Sequence, residues 1–256
     1  MWTTVAALLL LATVVAHEAA HALALRRLGI PIVEAGLGLP LAPRIVFAPR
    51  GRRTFRLSLS PWLIAAYVQP DPKREGDIAR LPYRDRTWFE GAGIVANLLI
   101  GLVAIAGVFG LRERWWLAVA LLVAACGTWV FRRALCAYVL PVAGLAALVF
   151  LGQGVVLLFG EPSGPVGLAR MMAVSSGETA LLLAGVMSLS LAILNMAPLF
   201  PFDGGRIAST VLETVSTARV AARFRVASGA VAVCFLLYVL VGDLVWLILR
   251  GFGVTW

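Results

Sequence analysis

The stretch Trp2-Thr-Thr-Val-Ala-Ala-Leu-Leu-Leu-Leu-Ala-Thr-Val-Val-Ala-His17-Glu18-Ala-Ala-His21-Ala-Leu-Ala-Leu25-Arg26-Arg27 decides how the rest of the chain is read. Its apolar run is long enough to cross a hydrocarbon core, which takes about 20 residues. Ionisable groups at such depth cost about 2.5–3.5 kcal/mol each on insertion scales, so three in one span need a purpose. On an α-helix, residues four apart stand one above the other. His17 and His21 can therefore grip one cation, with Glu18 beside the open coordination position. Two histidine ligands, a water and a carboxylate that takes its proton are the parts of a zinc-dependent hydrolytic site. The competing role, a polar patch that glues helices, needs one polar side chain rather than three in metal-binding order.

The composition agrees with a membrane setting. Of 256 residues, 61% are hydrophobic and 14% charged, against about 45–50% and about 25% in soluble domains. Six apolar spans are expected, at 2–24, 89–111, 115–131, 134–158, 178–199 and 226–249. They form a single membrane-embedded domain over residues 1–256, a polytopic α-helical bundle. The net charge of +9 is concentrated in short loops, above all from Arg44 to Arg86. That is the positive-inside pattern and places the N-terminus outside. Nucleic acid is excluded as a partner on this distribution, whereas anionic lipid headgroups suit it. Cys126, Cys136 and Cys234 have no C-x-x-C spacing and read as buried small hydrophobes.

The inner loop, residues 31–88, carries a β-hairpin after the first helix. Thr54-Phe-Arg-Leu-Ser-Leu-Ser60 alternates apolar and polar residues, and Ile45-Val-Phe47 precedes it across a turn-like break. The hairpin either packs on the bundle or offers an edge to an extended substrate backbone. Pro141 is expected to kink span four, and Ser175-Ser-Gly-Glu178 to cap span five.

Two histidines leave a zinc ion short of a protein ligand. Asn195-Met-Ala-Pro198-Leu-Phe-Pro201-Phe-Asp203-Gly-Gly-Arg206 breaks the helix at the end of span five. Broken helix at membrane depth belongs beside buried protein or a water-filled cavity. Here it falls at about the depth of His17, itself roughly 22 Å along a span of about 30 Å. Asp203 is thus the candidate third ligand. Its other possible role is to cap a helix starting near Ile207. Asn195 is placed to hold a substrate backbone. In span two, Gly93, Asn97 and Gly101 share a face suited to close helix packing, and Asn97 is also a candidate substrate contact.

Together these segments resemble the site-2 protease family, the intramembrane zinc metalloproteases, in a compact form without a PDZ domain. His17, Glu18 and His21 match its H-E-x-x-H helix, and Asn195, Pro198, Asp203, Gly204 and Gly205 match its N-x-x-P-x-x-x-x-D-G-G segment. Ser60 to Val68, Gly93 to Asn97 and Gly164 to Ala169 resemble three minor motifs, with Ala65-Ala66 and Ile94 as departures. The resemblance implies one Zn2+ per chain and single-pass transmembrane proteins as substrates. It also implies a prokaryotic plasma membrane. A metal transporter or sensor, or a proteolytically silent scaffold, are the other classes the sequence admits. The absence of an internal repeat and the presence of Glu18 argue against them.

Overall fold

The computed structural model describes residues 2–38, 43–48, 55–60, 66–146 and 177–251. The first helix, α1, runs from Trp2 to Arg27. It stops for a local reason. Gly29 takes a φ of 73°, while the Ile30 N–H donates to the Leu25 carbonyl and the Gly29 N–H to that of Arg26. These two bonds form a Schellman cap, sealed by contact between buried Ile30 and Leu25. Pro31 then prevents any continuation.

The chain next builds a four-stranded sheet from β1 (Ile32–Leu37), β2 (Ile45–Phe47), β3 (Arg56–Leu59) and β4 (Ala66–Pro70). The order is β2-β3-β1-β4. The expected hairpin is present, with β2 antiparallel to β3 and Ile45 opposite Leu59. β1, parallel to β3, and β4, antiparallel to β1, were not expected. Gly36 and Glu34 weaken the strand pattern of β1. A side chain at Gly36 would strike the Tyr67 ring and Ser58 Oγ, 2.8 Å from its Cβ position. Glu34 is buried against Tyr67 and Arg44, its ion pair with Arg44 being 2.8 Å long.

A short 3₁₀ turn and α2 (Glu75–Ala79) lead into α3 (Tyr83–Leu111), a 29-residue helix against which α1 and all but the last of the later helices pack. It is followed by α4 (Trp115–Val130) and α5 (132–146), then α6 (Gly177–Met196), α7 (Asp203–Val215) and α8 (Ala218–Gly251). α3 and α6 are each long and apolar enough to cross a membrane. α4 and α5 meet at a 72° bend, so among the described residues there are two such spans, or three if the bent pair counts as one. α4 and α5 fall on the third and fourth spans expected and are joined at that bend; residues 147–158 of the fourth lie outside the described residues. α1 and α8 coincide with the first and last expected spans. Valines and leucines of α4, α5 and α8 point outward, a surface that suits lipid better than water.

Pro141 lies within α5, just after a π-helical turn over Leu135–Val139. Its missing N–H frees a carbonyl in the preceding turn, and the Tyr83 hydroxyl donates to Ala137 O at 2.8 Å. α3 and α6 approach closely through small residues. A Cβ on Gly101 would lie 2.6 Å from Leu189 and 3.0 Å from the Gly185 carbonyl. Arg112 pairs with Glu178 at one end of these helices, and Arg133 with Asp85 (3.3 Å) at the other. α3 therefore runs antiparallel to both α4 and α6.

Candidate active site

His17 and His21 lie one turn apart on α1 and are 7% and 5% exposed. Their Nε2 atoms are 3.4 Å apart. Asp203 Oδ2 lies 3.2 Å from the first and 3.1 Å from the second. Asp203 is the first residue of α7, whose N-cap is Phe202, so the helix begins there rather than near Ile207, and the Asp203 carboxylate is engaged by the two histidines. Its carboxylate thus faces the imidazoles, with the positive end of the helix dipole behind it.

Three acceptor atoms so close repel one another unless a cation or protons lie between them. The surroundings select lone pairs. His21 Nδ1 donates to the Phe89 carbonyl at 2.8 Å, so the neutral ring presents a bare Nε2 to the cluster. Asn97, 1% exposed, brings its amide within 3.1 Å of His17 Nδ1, and its Oδ1 is buried without a partner. Amide nitrogen and oxygen are exchangeable assignments. The exchanged amide lets Oδ1 accept from His17 Nδ1–H, which turns the second bare Nε2 inward. Tetrahedral zinc with bonds of about 2.0–2.1 Å holds its ligand atoms about 3.3 Å apart. The observed 3.1–3.4 Å spacings fit such an ion without rearrangement.

Glu18 is half-buried, and its carboxyl is within electrostatic range of both histidines, Asp203 and Arg206. Asn195, on the last turn of α6, donates from Nδ2 to the Leu191 carbonyl at 3.0 Å. The segment after it folds back tightly. Cβ atoms on Gly204 and Gly205 would collide with the backbone of Met196 and of Leu199–Phe200. The paired glycines therefore let the start of α7 sit directly on the break. Of the minor motifs, residues 61–65, Gly164 to Ala169 and the Ser175 cap lie outside the described residues.

Three contributors were not read from sequence. The Phe89 carbonyl carries no side-chain signal. Gly93, read as a packing residue, faces the histidines: a Cβ there would overlap His17 and lie 2.5 Å from His21 Nε2. A buried polar clamp holds α7 to α3. The Thr210 hydroxyl lies 2.7 and 2.9 Å from the two Glu90 oxygens. Arg86 reaches Glu90 at 3.2 Å and Glu213 at 2.6 Å, and Arg225 reaches Glu213 at 2.7 Å. Thr210 is seven residues beyond Asp203 and so on the same face of α7. An ionisable residue inside an expected span, as Glu90 is, was the available signal. An apolar groove of about 780 Å³, lined by Ala19, Ala22, Leu23 and Arg26, lies on the opposite face of α1 and is not part of this site.

A buried group of two histidines and an aspartate that could hold a metal ion, with a glutamate beside it and two membrane-length helices in the same bundle, has the make-up of a metal-dependent hydrolase of the membrane. The chain matches the family model of Peptidase family M50 over residues 5–239. It belongs to that family, the site-2 proteases, which are metalloproteases. A search of the curated proteins found no match, and neither did a search of the solved structures.

Proposed function

We propose that the protein is an intramembrane zinc endopeptidase that cuts peptide bonds in or beside the transmembrane segments of single-pass membrane proteins. The observation that carries this is the convergence of His17, His21 and Asp203 Oδ2 within 3.4 Å, with Glu18 alongside. One Zn2+ held by these three would act as a Lewis acid, polarising the scissile carbonyl and acidifying a water. Glu18 takes the proton from the attacking water and delivers it to the leaving amine. Asn97 orients His17 from behind rather than touching substrate, as its burial and its bond to the ring support. Asn195 and the free edge of β2 are the surfaces offered to an unwound substrate backbone. β2 is an edge strand, and Ile45, Val46 and Phe47 are all exposed.

In this reading α1, α3, α4, α5, α6 and α8 carry the six crossings of the bilayer, and α7 belongs to the inner loop before α8. The N-terminus is outside, and the site lies towards the cytoplasmic face of a prokaryotic plasma membrane. The test is terminal-peptide proteomics on membranes carrying wild-type protein or Glu18→Gln. Single-pass proteins that accumulate uncut in the variant are the expected result. Identical terminal peptides in both membranes, with the protein present and zinc-loaded, would overturn the assignment of Glu18.

A further inference from the structure

The bend between α4 and α5 encloses a cavity of about 330 Å³ lined by Arg84, Val130, Phe131, Arg132, Arg133 and Ala134. It takes no part in the site above. Three cations line it, and among the described residues one carboxylate pairs with them: Asp85, 3.3 Å from Arg133. The cluster therefore retains an excess of positive charge.

Aromatic rings hold two of the cations in fixed orientations. The Arg132 guanidinium lies 4.3 Å from the Trp129 ring centre and 5.5 Å from that of Trp88, and it donates to the Trp129 carbonyl at 2.7 Å. Arg84 lies 5.5 Å from the Tyr138 ring and donates to its hydroxyl at 2.8 and 3.0 Å. Side chains fixed in this way lose little entropy on meeting an anion.

The walls supply the second half of the argument. Trp116, Val119, Val123 and Val130 fall at helical spacing on α4, and all are more than half exposed. This apolar stripe descends directly to the cavity, where Phe131 is also 67% exposed. Tryptophan and tyrosine gather at the level of lipid headgroups, which is the level Trp88, Trp129 and Tyr138 mark. A ligand with an anionic head and an apolar tail satisfies cavity and stripe together; a soluble anion satisfies only the cavity.

We propose that this cavity is a binding site for the phosphate headgroup of an anionic phospholipid, whose acyl chain lies along the outer face of α4. Basic pockets at helix ends bind such headgroups, and each arginine near the surface contributes about 1 kcal/mol, or roughly a fivefold change in affinity.

The experiment is native mass spectrometry of the full chain, released from micelles with phosphatidylglycerol or phosphatidylcholine. Phosphatidylglycerol should be retained preferentially. Its retention should weaken about fivefold for each of Arg84→Gln, Arg132→Gln and Arg133→Gln, and stay unchanged in Arg112→Gln/Arg114→Gln at the other helix ends. Equal retention of phosphatidylcholine would overturn the proposal. Displacement by millimolar inorganic phosphate would overturn it in favour of a free-phosphate site. Arg133, 58% exposed in its side chain, can be changed without disturbing the bend. Undiminished retention in Arg133→Gln refutes the site even if the Arg132 variant does not fold.

Discussion

Replacing Gly93 with alanine tests whether α3 is shaped around the metal ligands. The added methyl would lie 2.5 Å from His21 Nε2 and nearer still to the His17 ring, where ordinary contact begins at 3.4 Å. Either the imidazoles or α3 must therefore move by about 0.9 Å. Metal–ligand distances tolerate about ±0.2 Å, so moving the imidazoles removes at least one histidine from coordination, and moving α3 withdraws the Phe89 carbonyl and Asn97 that orient the rings. Losing a mere outer-shell partner costs about 10–100-fold in metal affinity, and losing a ligand must cost more. Zinc affinity should accordingly fall by at least about 10-fold, measured by competition with a chromophoric chelator on protein in nanodiscs. Helix propensity alone favours alanine over glycine by about 1 kcal/mol, so weakened helix formation cannot be the cause. Gly127→Ala in α4 is the control, because nothing lies within 4 Å of its Cβ position. Zinc affinity within threefold of wild type in Gly93→Ala would refute the packing argument.

Other predictions address separate parts of the site. Glu18→Gln should abolish cleavage while zinc content stays near one per chain; loss of zinc along with activity would make Glu18 a ligand rather than a base. Asn97→Leu keeps the branched shape but removes the bond to His17, so zinc affinity should drop about 10–100-fold. A change confined to KM would instead mark Asn97 as a substrate contact. Thr210→Val strips the buried Glu90 carboxylate of its hydroxyl partner, which should cost about 1–3 kcal/mol and appear as a lower Tm with faster zinc loss. Glu213 concerns pH. Burial opposes its ionisation, but hydrogen bonds from Arg86 and Arg225 outweigh that and hold its pKa below the ordinary 4.5. A carboxylate lowered in the folded state stabilises fully above 4.5, and that contribution is lost as pH falls through the folded value. Glu213→Gln should remove this part of the acid sensitivity, and an unchanged acid midpoint would exclude the clamp from it.

The legible parts of this molecule were those whose spacing carries geometry. His17, Glu18 and His21 read directly as one helical face. The prolines and glycines around Asp203 read as a break because no regular helix accepts them. The β2–β3 hairpin showed in its alternation. What stayed hidden depends on partners remote in sequence. β1 is a strand because Tyr67 and Ser58 close over Gly36 and Arg44 neutralises Glu34, contacts that no local pattern encodes. The 72° bend between α4 and α5 was hidden too, since hydropathy reports length but not direction. Gly93 read as a helix-packing glycine, and it is one, but the surface packed against it is a pair of imidazoles.

These remote contacts also explain how so polar a group persists among apolar helices. Each candidate ligand comes from one helix and is oriented from another. His21 of α1 is fixed by the Phe89 carbonyl of α3 and His17 by Asn97 of α3. Asp203 is held by α7, which the Thr210–Glu90 pair ties back to α3. Removing α3 from this arrangement would leave two histidines free to turn and an aspartate with no defined position. The three atoms converge only when α1, α3 and α7 have docked, so forming the site and assembling the bundle are one event. Metal binding must then stabilise the assembly, because an ion that binds only the docked form adds its binding energy to it. Thermal unfolding in nanodiscs should therefore rise in midpoint with zinc concentration. That dependence should survive in Glu18→Gln, whose ligands are intact, and vanish in Asp203→Ala. A zinc-dependent midpoint that persisted in Asp203→Ala would mean that the ion is held without α7.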